Sequence, residues 1–236
     1  EGADTIAAMI GEPVQGAGGV VVPPESYWGA IKEVLDRHEI LLIADEVITG
    51  FGRTGHMFGA ETYNVQPDIV SIAKGITSGY IPLGAVGVSD TIYEQMLEPD
   101  AMFMHGFTYA GHPVACAVAL RNIDILERED LTANAAEMGD YLLSQLMELA
   151  PHQNVGEVRG KGLMMTVEVV KDKESKERFV AADGIGGRLI AESRKRGIIS
   201  FASDTGFMIS PPLTITKSEA DEIVEAIRGT LVEVFD

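Results

Sequence analysis

The sequence predicts an α/β fold with a smaller α+β lobe behind it, and three observations carry that expectation. Short apolar runs alternate with amphipathic stretches through the first half of the chain. Those runs are nearly continuous in apolar character, as strands of a mostly parallel sheet covered on both faces are. After Pro151 the texture changes to shorter strand candidates and a long closing amphipathic segment.

Residues 5–10, 40–44, 69–72 and 83–88 are the strand candidates of the first lobe. Between the first two, Pro24 and Glu25 open a segment to His38 in which Tyr27, Ile31, Val34 and Leu35 recur at helical spacing, so it reads as a crossover helix. Residues 111–128, with Val114, Val118, Leu120, Ile123 and Leu126, are expected to form a second helix. Residues 131–149, with Met138, Leu142, Leu146 and Leu149, are expected to form another, which divides the chain into a large lobe, 1–128, and a small one, 129–236. In the small lobe a strand is expected at 162–170, a solvated charged loop at 171–178 and a helix at 185–196. Two short strands at 198–201 and 207–210 precede Pro211-Pro212, and a last helix spans 218–234 with Glu219 and Asp221 at its positive end.

At 236 residues, 46% apolar and 23% charged, the chain can bury a core and lacks the run of about 18 apolar residues that a membrane span needs. A net charge of −18 repels phosphate backbones and anionic lipid surfaces, so neither nucleic acid nor a membrane is an expected partner. The single cysteine, Cys116, cannot form an intramolecular disulfide, and neither it nor the five histidines have zinc-ligand spacing. A reducing, cytoplasmic setting without a structural metal is expected. The start at Glu1-Gly2-Ala3-Asp4, directly before an apolar run, reads as the middle of a longer polypeptide.

Two segments could carry chemistry. In 41–47 an apolar strand ends in Asp45-Glu46 before a glycine-rich turn, Gly50-Phe51-Gly52-Arg53-Thr54-Gly55. Ligands of open parallel sheets gather outside the carboxyl ends of strands, so Asp45 stands where a site would form; alternatively, Asp45 or Glu46 caps the following loop. In 66–75 a second strand delivers Lys74 into a glycine- and proline-rich loop. A lysine partly desolvated there becomes a nucleophile for a carbonyl, although a snorkelling surface lysine has the same sequence signature. Together the two residue types suit a pyridoxal phosphate site, which needs an amine for the aldehyde and a carboxylate for the ring nitrogen.

Several ordered motifs sharpen this: Glu12-Pro13-Val14-Gln15-Gly16, Asp45-Glu46-Val47 with the glycine turn, and Pro67-Asp68-Ile69-Val70 with Ala73-Lys74-Gly75. Gly79-Tyr80-Ile81-Pro82-Leu83-Gly84 and Gly106-Phe107-Thr108-Tyr109-Ala110-Gly111-His112-Pro113 follow in order. In this the chain resembles the class III aminotransferases of pyridoxal-phosphate fold type I, over essentially its whole length but only the C-terminal part of the family's chain.

The resemblance implies that Lys74 forms the imine with the cofactor and shuttles the proton at the substrate's alpha carbon. It implies that Asp45 pairs with the pyridinium nitrogen and that Val47 packs on the ring. Thr108 would reach the cofactor phosphate of a neighbouring subunit, making the site a property of a homodimer; a turn hydroxyl bonding its own backbone is the plainer role for it. Glu12 matches a glutamate that in many family members pairs with a carboxylate-binding arginine. Phe201 stands where pyruvate-using omega-transaminases carry that arginine, leaving Arg53 or Arg159 as the nearest candidate cations. Ile48 leans toward the amine or omega-amino-acid:pyruvate branch.

The family's phosphate turn and ring-stacking aromatic lie upstream of Glu1, so the chain alone is expected to bind the cofactor weakly. The expected activity is transfer of an amino group from a primary amine or omega-amino acid to a keto acid such as pyruvate. The alternatives are a mutase, decarboxylase or racemase on the same fold, or an inactive fragment or scaffold.

Overall fold

The structure is a computed structural model and describes residues 2–236. The chain forms two compact units, one comprising the residues up to Val14 with Pro23–Thr132, the other Gln15–Val22 with Ala133–Asp236.

The first unit holds β1 (Ala8–Gly11), α1 (Tyr27–Arg37), β2 (Leu41–Asp45), α2 (Gly59–Thr62) and β3 (Ile69–Ile72). A 3-10 turn at Lys74–Thr77, β4 (Ala85–Val88), α3 (Asp90–Met96) and α4 (Pro113–Arg128) follow. The sheet order is β1-β2-β3-β4. The first three strands run parallel, in a register that sets Gly11 beside Ala44 and Asp45 beside Ser71. Helix α1 forms because Trp28 and Leu35 share its inner face, where they pack with Ile40 and Leu42. Each such large side chain taken from water contributes about 1.5–3 kcal/mol. Along β2, Leu42 and Ala44 are buried and their neighbours half-buried, the period of two that a strand imposes.

The sheet is mostly parallel, as expected; β4 alone pairs antiparallel, to β3, because residues 73–84 contain a 3-10 turn and no crossover helix, so the chain simply reverses. One expectation is corrected: the sheet is not covered throughout. The Trp28 cluster shields β2, whereas all four residues of β4 are exposed at the sheet edge. Helix α3 was not foreseen; it buries no residue, so it carries no apolar stripe to read.

The second unit contains α5 (Leu131–Met147), β5 (Val155–Lys161), β6 (Met164–Val169), α6 (Ile185–Lys195), β7 (Phe201–Ser203), β8 (Gly206–Ile209) and α7 (Lys217–Phe235). Its antiparallel sheet has the order β5-β6-β8-β7. Leu142 and Leu146 of α5, Val167, Leu189, Phe207 and Ile227 are wholly buried in one core with α6 and α7. Strand β5 escaped the sequence because a bulge between Val155 and Glu157 breaks its alternation and two glycines dilute it. It joins β6 in a hairpin through Gly162, whose φ of 54° favours glycine. Strand β7 begins at Phe201 rather than at 198, since the Ile198 amide still closes α6 on the Ser193 carbonyl (3.1 Å). The 171–178 segment is the exposed charged loop expected, with Asp172 accepting from the Ser175 amide (2.7 Å).

The start of α7 is a capping box. The Thr216 amide donates to Glu219 Oε2 (2.8 Å), and the Glu219 amide donates to Thr216 Oγ1 (3.4 Å). Hydrogen bonds from the Thr216 backbone and then its side chain hold the Glu219 carboxyl below the usual range. A depressed folded value means that the cap's stabilisation is full above the ordinary carboxylate range and is lost as pH falls through the folded value. Glu219→Gln is therefore expected to lower the urea midpoint at neutral pH and to converge on wild type in acid. A gap that stays constant with pH would exclude the carboxylate as its source. No helix among the described residues is long and apolar enough to cross a membrane.

Candidate active site

The carboxyl ends of β2 and β3 lie side by side, and each delivers one of the two residues singled out by chemistry. Asp45 is the last residue of β2 and pairs in register with Ser71; Lys74 follows β3 by two residues. A parallel register sends both chain exits off the same edge of the sheet.

The adjacent carboxylates divide two tasks. Glu46 has no exposed surface, and all of its hydrogen bonds are structural. Its Oε2 accepts from the Thr49 hydroxyl and the Gly59 amide (2.8 Å), and its Oε1 from the Ala60 amide (2.7 Å). It thereby ties the glycine-rich turn to the first residues of α2, whose amides lack helical partners. Glu46 is the loop cap that the sequence left open between the two acids.

Asp45 is half-buried and only partly occupied. Its Oδ1 accepts from the Val47 amide (3.1 Å) and the Ser71 hydroxyl (3.3 Å), while Oδ2 has no hydrogen-bond partner among the described residues. The carboxylate is thus oriented through one oxygen and left free at the other. Ser71, which orients it, gave no signal in the sequence, because cross-strand partners follow only from register.

Lys74 is exposed, which corrects the expectation of partial desolvation. Its ammonium makes no hydrogen bond or ion pair among the described residues. Its backbone is constrained, with φ of 42° in the left-handed region that lysine rarely adopts. Two contacts fix the turn that holds it. Gly75 packs on the glycine-rich turn so closely that a Cβ would lie 2.9 Å from Phe51 Cβ and 3.1 Å from the Gly50 carbonyl oxygen. From α4, Asn122 Nδ2 donates to the carbonyls of Gly75 (2.9 Å) and Ile76 (3.1 Å). The motif that supplies the carboxylate therefore also buttresses the motif that supplies the amine.

The other candidates sit as follows. Val47 is half-buried just beyond Asp45, and Glu12 is half-buried just beyond β1. Arg53 is half-buried in the glycine-rich turn, where desolvation pushes its guanidinium below its ordinary value. Thr108 is exposed in an irregular segment, and its hydroxyl makes no hydrogen bond among the described residues, so it does not serve its own turn. Phe201 opens β7 with 67% of its surface exposed. Arg159 is corrected as a candidate cation for substrate. Its Nη1 pairs with Glu157 and Glu168 (2.6 Å each), while Nη2 and Nε donate to the Gly19 (2.7 Å) and Val20 (2.9 Å) carbonyls. A guanidinium so neutralised is a structural clamp on the 15–21 turn.

A family model described as class-III aminotransferase matches residues 1–231. The putrescine–pyruvate aminotransferase of Pseudomonas aeruginosa is 49% identical over 231 residues, covering 98% of this chain and 50% of that relative. Among solved structures, an (S)-enantioselective omega-transaminase from Thermomicrobium roseum superposes with a TM-score of 0.97 at 60% identity, covering 100% of this chain and 53% of that one. An amine transaminase from an uncultivated Pseudomonas species, solved with pyridoxal phosphate bound, gives 0.95 at 49% identity, covering 99% and 53%. The chain thus spans about half the length of the relatives it matches.

Proposed function

The chain belongs to the class-III aminotransferase family, with the fold of its pyridoxal-phosphate-dependent transaminases. From that premise we propose that it carries the lysine-bearing part of a site that moves an amino group from a primary amine or omega-amino acid to a keto acid such as pyruvate. One observation carries the reading: Asp45 and Lys74 leave the same edge of neighbouring parallel strands, and the turn after one supports the turn holding the other.

The donor set fits pyridoxal phosphate, since it joins an unpaired amine to a carboxylate with one oxygen to spare. When bound, that cofactor supplies an electron sink for charge developing at the substrate's alpha carbon. Asp45 Oδ2 would then keep the ring nitrogen protonated, held at a fixed angle by the two bonds on Oδ1. Val47 adds an apolar contact for the ring. Lys74 would hold the cofactor covalently, and its amine would serve as the base and acid that move the proton at the substrate's alpha carbon.

On the substrate side, we assign Glu12 and Arg53 the polar contacts. Phe201 presents an apolar surface and no charge, which suits an amine donor better than an alpha-carboxylate. The unused hydroxyl of Thr108 supports a role on the cofactor phosphate of a second subunit, and hence a homodimer. One free cysteine, Cys116, suits the reducing cytoplasm.

The test is borohydride reduction of the full-length protein with pyridoxal phosphate, followed by peptide mass spectrometry, alongside a donor panel with and without pyruvate. A single reduced adduct on Lys74 and amine consumption that requires pyruvate are expected. An adduct on another lysine, or turnover without an acceptor, would overturn the reading.

A further inference from the structure

Lys74 occupies a strained backbone conformation on a turn of only four residues, so something outside that turn must hold it. Within the turn the Gly75 carbonyl accepts from the Ser78 amide (3.2 Å). A single side chain, Asn122, more than forty residues away on α4, adds a second bond to that carbonyl and bonds the Ile76 carbonyl as well. The carboxamide is used at both ends, because its Oδ1 also accepts from Ser78 Oγ (2.6 Å). Ser78 is the left-handed residue that closes the turn, with φ of 49°. Asn122 thus spans the turn from the residue after Lys74 to its exit. It is half-buried between the exposed, ion-paired Arg121 and Asp124, and its carboxamide turns to the Lys74 turn.

We propose that Asn122 is a positioning residue for Lys74. By capping the turn from α4 it sets where the lysine amine stands relative to Asp45. Leucine, of similar size, would remove both donors and the acceptor. Aspartate would keep the acceptor for Ser78 but turn a charged oxygen toward two carbonyl oxygens, so both substitutions release the turn. Ser78→Ala leaves the two carbonyl bonds in place and serves as the mild comparison.

The proposal rests on the functional reading above only through Lys74, and two measurements on the full-length protein separate them. Hydrogen exchange across residues 74–81, made without cofactor, is expected to accelerate about tenfold in Asn122→Leu and Asn122→Asp, with the rest of α4 protected as in wild type. The pH midpoint of the cofactor absorbance band, read with pyridoxal phosphate bound, is expected to shift in both variants and far less in Ser78→Ala. Unchanged exchange at 74–81 overturns the proposal, and so does faster exchange with an unmoved midpoint, which would make Asn122 a structural cap alone. Failure of wild type to give a borohydride adduct on Lys74 sinks the functional reading instead, while the exchange arm still judges Asn122.

Discussion

Lys74→Ala is expected to leave the protein folded and to remove its chemistry. The ammonium makes no contact among the described residues, and alanine meets the same left-handed backbone demand as lysine, so unfolding free energy should move by no more than about 0.5 kcal/mol. The functional reading loses both its nucleophile and its proton carrier at once, which predicts a fall in transamination on the order of 10³-fold or more. Borohydride treatment with pyridoxal phosphate should then yield no adduct in the peptide that contains position 74. Retention of wild-type turnover by this variant would remove the central assignment.

Glu46→Ala carries the largest stability cost. The carboxylate is wholly buried and receives one hydroxyl and two amide hydrogen bonds that tie the glycine-rich turn to α2. Truncation strands the Gly59 and Ala60 amides and opens a cavity, which together cost about 3–5 kcal/mol. Glu46→Gln should lie between, since it keeps one acceptor but sets an NH2 group against a donor. Because Gly75 rests on Gly50 and Phe51, the damage should reach the Lys74 turn, and hydrogen exchange there should rise along with that of residues 50–60. A urea midpoint for Glu46→Ala close to that of wild type would show that another group holds the turn.

Strands with unbroken apolar character and helices with a clear inner stripe were legible from residues alone. Leu41–Asp45 and Ile69–Ile72 lie where their composition put them. Helix α1 also forms where expected, but Tyr27 and Val34 of its expected apolar face are exposed, and Trp28, which the spacing did not mark, is buried with Leu35. The elements that escaped lack that periodicity: α3 buries nothing, β5 carries a bulge, and β7 starts after a helix exit of similar composition. Within the candidate site, Asp45, Lys74 and the glycine turn drew notice because each lies at the end of a readable strand or just beyond one. Arg159 was misjudged for a different reason. Its partners Gly19, Val20 and Glu168 are remote in sequence or on a neighbouring strand, so its commitment leaves no local trace.

Residue type and order were enough to identify an amine and an acid at adjacent strand ends, and with them the family to which the chain belongs. Which of two neighbouring acids is spent on structure, which oxygen of the other stays open, and what holds a strained lysine were settled only by the folded chain. Sequence patterns report periodic burial along one segment. Hydrogen-bond partners such as Ser71 and Asn122 come from other segments, and register and packing decide which of them arrive.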